Sequence, residues 1–227
     1  MLKKIKIIEI EDSGNNGIVY KALDKDEVIA LKVMYGFSQD IGQLQQKAKR
    51  EYEIGLKLNN IENIPKTLKL YNQKKRFIKK PLSFSCVGFN EEEAKKQIMK
   101  NRIHYQSDSY NDIVFAGAFT MDYMENLTKL PKDPQPLNFT LPNSFFEKLE
   151  DIAEKMLERG YSLPPERDYL IKSTKILDEF EPIVLDFGNC ESLDILLKSG
   201  HHENSAKNYI RIINKKVIDH LREVYAK

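Results

Sequence analysis

The sequence predicts an α+β protein, with an antiparallel sheet formed early in the chain and a mainly helical second half. Three runs of alternating apolar and polar residues lie within the first 35 positions, joined by short polar segments. Links of that length join antiparallel strands, because parallel strands need a long crossover. In the second half, apolar residues recur every three or four positions, which is typical of amphipathic helices.

The first three strands are followed by a helix that contains an inward-facing carboxylate. The strands are predicted at residues 6–10, 18–23 and 28–34, with a polar turn at 24–26. The helix is predicted at residues 38–58, with Ser38 or Asp40 as its cap. Its inward stripe consists of Leu44, Ala48, Glu51, Gly55 and Leu58.

Three more elements and a proline-rich segment complete the first half. The pattern predicts a strand at 69–71, a helix at 91–101 and an apolar run at 113–124. The segment 72–112, with a basic cluster at 74–80, is expected to be an insertion. The cluster could bind an acidic partner or RNA phosphates, but a solvated edge strand is the better interpretation. Prolines at positions 131, 134 and 136 mark the best boundary, so we expect domains at 1–130 and 131–227.

The second half opens and closes with helices. A capping box of Ser144 and Glu147 predicts a helix at 144–159, which Gly160 ends. Two short strands are expected at 169–171 and 182–185. A closing helix at 204–225 carries an apolar face formed by Ile210, Ile213, Val217, Leu221 and Val224.

Composition excludes several classes of protein. Of 227 residues, 41% are hydrophobic and 31% charged, with a net charge of +2, so disorder and a dedicated nucleic-acid coat are excluded. Two cysteines, Cys86 and Cys190, cannot staple a chain of this length, and a reducing compartment fits. No signal peptide or transmembrane run is apparent. We expect a cytoplasmic monomer, or one acting in a host cytoplasm if the protein is an exported effector.

Four local features carry chemistry. The hairpin at 12–19 contains Gly14 and Gly17, which would let backbone N–H groups approach phosphates. An ordinary tight hairpin would have the same sequence pattern. Lys32 shares a strand face with Ala30, and a lysine buried there requires a partner. Glu51 is that partner if its stripe faces inward, with Glu53 as the competing choice.

The fourth feature is an aspartate delivered by an apolar strand. Asp186 follows the run Ile-Val-Leu at 183–185 and precedes Phe-Gly. The glycine frees the backbone to turn, and a carboxylate at such a strand end is a natural Mg²⁺ ligand.

In this order, the glycine-bearing hairpin, the Ala-x-Lys strand, the Arg-Glu helix and Asp-Phe-Gly resemble the motif set of the protein kinases. The run Phe-Thr-Met-Asp-Tyr-Met-Glu-Asn at 119–126 resembles that family's fifth strand and hinge. The resemblance covers residues 5–60 and 113–190. It implies a bilobal kinase-like fold with an antiparallel-sheet N-lobe and a reduced, mainly helical C-lobe.

The resemblance also implies a site for ATP and Mg²⁺. Lys32, held by Glu51, would contact the α- and β-phosphates, while Asp186 would bind Mg²⁺. Met121 would be the gatekeeper, next to the backbone groups that bind adenine. One departure is that Asp12 replaces the family's first glycine, where a carboxylate repels phosphates unless it points away or helps to hold metal. The residues assigned to the nucleotide are Gly14, Gly17, Val19, Ala30, Lys32, Met121, Asp122, Met124 and Asp186.

The catalytic loop fits the family in two registers. In the first, Glu-Arg-Asp at 166–168 replaces His-Arg-Asp, so Asp168 is the catalytic base and Ser173 a weak metal ligand; Asp168 stands 18 residues before Asp186, as is usual in the family. In the second, Tyr-Ser-Leu at 161–163 takes that place. Leu163 then replaces the base, and Asp168 becomes a metal ligand.

The segment after Asp-Phe-Gly bears on the substrate. Only 39 residues follow Gly188, and they include no Ala-Pro-Glu, so the chain resembles minimal, atypical kinases without the helical platform that docks peptides. The leading expectation is an ATP- and Mg²⁺-dependent serine/threonine-protein kinase. The alternative is a pseudokinase that binds a protein partner, with nucleotide at most stabilising it. A membrane partner is not expected, and nucleic acid is possible but not indicated.

Overall fold

The computed structural model describes residues 4–13, 17–37, 41–71, 86–101, 113–130, 140–165, 169–173 and 180–226. Within these ranges the chain is a mixed α+β structure with a five-stranded sheet, a three-stranded sheet and five α-helices. It divides into two compact units. Unit 1 comprises Met1–Leu56 and Lys66–Tyr123, and unit 2 comprises Lys57–Pro65 and Met124–Lys227.

Unit 1 contains the five-stranded sheet, in the order β1-β2-β3-β5-β4, and every neighbouring pair is antiparallel. The predicted antiparallel arrangement of the first three strands is therefore confirmed by their registers. The elements are β1 (Ile5–Ser13), β2 (Gly17–Asp24), β3 (Glu27–Phe37), α1 (Ile41–Leu58), β4 (Thr67–Leu70), α2 (Glu91–Asn101) and β5 (Ile113–Asp122).

One face of β2 and β3 forms the core of unit 1. Ile18, Tyr20 and Ala22 are buried on one face of β2, and Leu31 and Val33 continue that face on β3. Helix α2 supplies two buried residues to the same cluster, Ala94 and Ile98. The described part of the expected 72–112 insertion thus adds to the core of this unit.

Two glycines lie at contacts between helix α1 and the sheet. A Cβ built at Gly55 would lie 2.1 Å from Oγ1 and 3.1 Å from Cβ of the buried Thr67 in β4. At the other end of the helix, a Cβ at Gly36 of β3 would lie 2.3 Å from Cδ1 of Leu44. No larger residue fits at either contact without movement, so these glycines set the distance between helix and sheet.

Unit 2 contains the three-stranded sheet, in the order β6-β7-β8, with antiparallel pairing throughout. Gly160, which lies just after the end of α3, has a positive φ of 85°. The elements are β6 (Leu127–Lys129), α3 (Asn143–Glu158), β7 (Tyr169–Ser173), β8 (Phe180–Val184), α4 (Leu193–Lys198) and α5 (Glu203–Tyr225). Neither β6 nor the short α4 was expected from the sequence.

The predicted capping box at the start of α3 is wrong. The helix begins at Asn143, after Pro142 in an extended conformation, and no side chain caps it. Proline's fixed φ suits the position before the first turn, so the helix starts one residue early. Ser144 consequently lies inside the first turn, where it cannot act as the N-cap.

The buried face of α5 also differs from the prediction. Ile210 and Leu221 are buried as expected, but Ile213, Val217 and Val224 are only partly buried. A polar residue, Asn214, occupies the centre of the buried stripe, so counting apolar residues alone placed the stripe one position off. The buried residues of α5 are Ala206, Ile210, Asn214, Ile218, Leu221 and Tyr225.

Several predicted features lie outside the described residues. They are the cap of α1 at 38–40, the basic cluster at 74–80 and the prolines at 131–136. The later boundary between the two units falls between Tyr123 and Met124. The predicted domains, 1–130 and 131–227, stay a prediction. Among the described residues, no helix is both long and apolar enough to cross a membrane.

Replacing Gly55 with alanine should destabilise the protein by about 1–3 kcal/mol, because overpacking against Thr67 forces helix and strand apart. Gly42, in the same helix, is the matched control, since a Cβ there meets nothing within 4 Å. Gly42→Ala should be neutral or stabilising by up to about 1 kcal/mol through helix propensity. Urea titration of the free energy of unfolding separates the two, and equal values would contradict the close-packing account.

Candidate functional site

Five of the predicted nucleotide residues share one face of the sheet in unit 1. Val19 lies directly opposite Lys32, and Ala30 lies directly opposite Met121. Opposite residues of antiparallel strands share a face, as do residues two apart along one strand. The face, which is opposite to the apolar core, therefore presents Gly17, Val19, Ala30, Lys32 and Met121.

Lys32 and Glu51 form a buried ion pair on this face. Lys32 Nζ donates to Glu51 Oε1 over 2.6 Å, and the two side chains are only 10% and 3% exposed. Either charge alone would be costly at this depth, so each requires the other. The predicted pairing is confirmed. The competing residue, Glu53, is 57% exposed and pairs with Lys49 instead.

Gly17 opens β2 beside the side chain of Lys32. A Cβ at position 17 would lie 3.5 Å from Lys32 Cε and 3.2 Å from the carbonyl oxygen of Val33. Any larger residue at position 17 would therefore crowd the lysine side chain. Gly14 lies outside the described residues, so the rest of the hairpin stays a prediction.

The predicted adenine-binding segment begins at the end of β5. Met121 and Asp122 are partly buried, and the backbone N–H of Asp122 donates to the carbonyl oxygen of Lys66 over 2.9 Å. An adenine base bound at this position could therefore not accept a hydrogen bond from that N–H. It would have to donate a hydrogen bond to the Asp122 carbonyl oxygen instead. Met124 is partly buried and is the first residue of unit 2 after this segment.

Tyr123 links this segment to β1 within unit 1. Its hydroxyl donates to Glu11 Oε1 over 2.7 Å, and Lys21 Nζ lies 4.8 Å from the centre of its ring. Lys21 also lies 3.5 Å from Glu9 of β1. The hydrogen bond to Glu11 raises the pKa of Tyr123, so the hydroxyl remains a donor at neutral pH. Tyr123 was not predicted from the sequence, because no local pattern indicates a contact between residues 112 positions apart.

Asp186 in unit 2 has a rare backbone conformation. Its φ of 61° and ψ of 60° lie in the left-handed region, two residues after the end of β8 and directly before a 3₁₀ turn at Phe187–Asn189. Aspartate tolerates this region better than most residues, and such strain is concentrated at functional sites. The side chain is partly exposed while the following Phe187 is buried, so the turn is anchored next to an accessible carboxylate.

The segment 161–163, which takes the catalytic loop's place in the second register, is held inside unit 2. The Ser162 N–H donates to the Glu191 carbonyl, and the Glu191 N–H donates back to Ser162 Oγ over 2.8 Å. The Leu163 N–H donates to Asn214 Oδ1 over 2.8 Å, and Asn214 Nδ2 reaches the Ala153 carbonyl over 3.4 Å. Leu163 is fully buried, so its side chain faces no ligand.

Ser173 and Asp168 are separated by a strand. Ser173 ends β7, where it is paired with Phe180, and a five-residue strand extends about 13 Å from its first to its last Cα. Asp168, which immediately precedes Tyr169 in the sequence, lies outside the described residues. Among the residues that are described, no three His, Cys, Asp or Glu side chains form a metal site.

The cysteines offer no nucleophile among the described groups. Burial raises the pKa of the Cys86 thiol to about 11, so it stays protonated at neutral pH. Cys190 is fully buried. Burial likewise raises the pKa of Tyr71 to about 12, behind the same sheet of unit 1. The Tyr71 hydroxyl therefore stays protonated at neutral pH as well.

No protein-family model matches this chain, and no curated protein sequence matches it significantly. Function therefore has to be inferred from the geometry of the two units.

Glu51→Gln should destabilise the protein by about 3–5 kcal/mol, because it leaves the Lys32 ammonium buried without a countercharge. Glu53→Gln in the same helix is the matched control, and its exposed pair should contribute less than about 1 kcal/mol. The double variant Lys32→Met with Glu51→Gln should recover part of the loss, since no charge is then buried. Urea titrations measure all three. Equal effects of the two glutamine variants would rule out the buried-pair account.

Asn214→Ala should cost about 1–3 kcal/mol of unfolding free energy, because the Leu163 N–H then stays buried without an acceptor. Asn208→Ala, on the exposed side of α5, should change stability by less than about 0.5 kcal/mol. Chemical denaturation followed by circular dichroism gives both values. A neutral Asn214→Ala would show that the 161–163 segment is held by other contacts.

Proposed function

We propose that this protein binds Mg-ATP through a kinase-like site and transfers the γ-phosphate to a serine or threonine hydroxyl of a protein. The observation that carries the proposal is the buried Lys32–Glu51 pair on the sheet face shared with Gly17, Val19 and Met121. With it we propose a kinase-like bilobal fold, in which unit 1 is the antiparallel-sheet lobe and unit 2 the reduced, mainly helical lobe.

A buried lysine held by a carboxylate favours a phosphate ligand. Because Glu51 holds Lys32 Nζ at 2.6 Å, the ammonium is positioned before any ligand arrives and loses little freedom on binding. Gly17 lies beside it, and any larger residue there would crowd the lysine side chain. A lysine acting as a point charge is a common phosphate-binding group in nucleotide sites.

Asp186 is the proposed ligand of Mg²⁺. The left-handed backbone at this residue presents a partly exposed carboxylate at the end of a buried strand, and carboxylate oxygens are preferred Mg²⁺ ligands. When bound, Mg²⁺ would neutralise charge on the phosphates. In the first register, Asp168 accepts the proton of the attacking hydroxyl while the bond from the γ-phosphorus to the β–γ bridging oxygen breaks and ADP leaves.

Adenine would be bound by the backbone of the segment that follows β5. Since the Asp122 N–H is already used, its carbonyl oxygen is the proposed acceptor, and the Met124 N–H is the proposed donor. Ala30 and Met121 lie directly opposite each other on the same face, next to this segment, and supply apolar contact for the base.

A second candidate, a pseudokinase that binds a protein partner, is favoured by the strand β7. In the first register, residues 169–173 would be the loop between base and metal ligand, but they are a paired strand. The second register agrees better with this strand. It makes Asp168 a metal ligand and leaves the buried Leu163 in the position of the base.

Mg-ATP should bind the wild-type chain, and Lys32→Met and Asp186→Asn should each weaken binding by tenfold or more, roughly 1.4 kcal/mol. The lysine supplies charge to the phosphates, and the aspartate supplies a ligand to the metal. Lys207→Met, at a partly exposed position of α5, and Asp194→Asn, at an exposed position of α4, are the matched controls and should bind normally. Isothermal titration measures the affinities, and thermal melts without nucleotide verify that each variant is folded.

Transfer of radiolabel from ATP to the protein or to a generic substrate then separates the two candidates. A kinase loses transfer in Asp168→Ala and Asp186→Ala, and Ser173→Ala reports whether the first register holds. Mg-ATP binding with no transfer above the Asp186→Ala background indicates the pseudokinase. A wild-type chain that neither binds nor transfers eliminates both.

A further inference from the structure

The hydroxyl of Tyr20 is buried in unit 1 without a hydrogen-bond partner. Tyr20 belongs to the core cluster and is only 3% exposed, and among the described residues no group forms a hydrogen bond with its hydroxyl. Burial is the main cause of a raised pKa at this hydroxyl, so it stays a neutral donor. A buried hydroxyl of this kind has lost its hydrogen bonds to water and gained none in exchange, which opposes the packing around it.

The segment 89–101, called the cover from here on, packs against this tyrosine. The ring of Phe89 meets the ring of Tyr20 edge to face, with 6.0 Å between the ring centres. Ala94 and Ile98 of α2 are buried in the same core cluster as Tyr20. Glu93 of α2 contributes to the raised pKa of Tyr20, so the helix lies close enough to interact with the hydroxyl.

The cover is joined to the sheet through a short anchor and a glycine. The Ile7 N–H donates to the Val87 carbonyl over 2.8 Å, and the Val87 N–H donates to the Ile5 carbonyl over 3.0 Å, so Val87 is fixed to β1. Gly88 follows with a φ of 82°, which glycine adopts without strain. The Asn90 side chain then accepts a hydrogen bond from the N–H of Glu93 in the first turn of α2.

Beyond this anchor the cover has few buried contacts. Among its described side chains, only Ala94 and Ile98 are buried, while Phe89 and Met99 are partly buried. Helix α2 has 11 residues, and a helix of that length is marginal in water without tertiary packing. The closed position therefore depends on a small apolar contact that has to outweigh the unsatisfied hydroxyl beneath it.

We propose that the cover is a hinged element that opens at Gly88 and uncovers the apolar face of β2, while the rest of unit 1 stays folded. Opening returns the Tyr20 hydroxyl to water, and the contacts of Phe89, Ala94 and Ile98 favour closure. The buried hydroxyl thus keeps the free energies of the closed and open positions close together. This inference concerns the core face of the sheet and does not depend on nucleotide binding.

Amide hydrogen exchange tests for the separate opening. In the wild-type chain the amides of α2 should exchange at least about tenfold faster than the central amides of α1, after correction for their intrinsic rates. Their exchange should also depend less on urea than that of α1, because local opening exposes less surface than global unfolding. Equal exchange and equal urea dependence in the two helices would show that α2 opens only when the whole unit unfolds.

Tyr20→Phe tests the part played by the hydroxyl, because it removes the oxygen and keeps the ring against Phe89. Exchange of the α2 amides should slow by roughly five- to hundredfold, as expected when an unsatisfied buried group is removed from the closed position. Tyr35→Phe is the matched control at a fully buried tyrosine of β3, whose hydroxyl is not unsatisfied, and it should not slow exchange.

An α2 exchange rate that is unchanged or faster in Tyr20→Phe overturns the inference, because the hydroxyl then does not oppose closure. A similar slowing in Tyr35→Phe also overturns it, since the effect would not be specific to the unsatisfied group. Thermal melts verify that both variants are folded. Titration with Mg-ATP remains a separate measurement, so loss of the proposed function would leave this result standing, and the reverse is also true.

Discussion

A lysine ammonium and a glutamate carboxylate, both almost excluded from water, meet at hydrogen-bond distance in unit 1, and the packing around them follows from that meeting. Separating Lys32 from Glu51 would leave two buried charges, so α1 must stay close to β3. The close contact of Gly55 with Thr67 permits this approach. A residue with a larger side chain at position 55 would push the helix outward and move the carboxylate with it.

Unit 2 has a corresponding polar constraint of a different kind. Asn214 is buried in the apolar face of α5, and its amide satisfies the Leu163 N–H and approaches the Ala153 carbonyl. A neutral amide can both donate and accept, so it can join a helix to an irregular segment without burying a charge. The segment preceding β7 is thus held by side-chain hydrogen bonding as well as by apolar packing.

The two constraints bear differently on catalysis. Phosphoryl transfer depends mainly on positioned charge, which the proposed function assigns to Lys32 and Asp186. The paired strand β7 and the buried Leu163 weigh against a conventional catalytic loop. Binding of Mg-ATP is therefore the better supported part of the proposal, and transfer depends on whether Asp168 can act as a base.

Local patterns in the sequence determined the first three strands, the helices α3 and α5, and the Lys32–Glu51 pair. They could do so because alternation and helical periodicity indicate which side chains share a face. They could not reveal Asn214, since a polar residue in an apolar stripe appears as an interruption until its partners are known. They also missed the bond between Tyr123 and Glu11, 112 positions apart. Only the tertiary structure decided these contacts, because periodicity specifies which face is buried and packing specifies what that face meets.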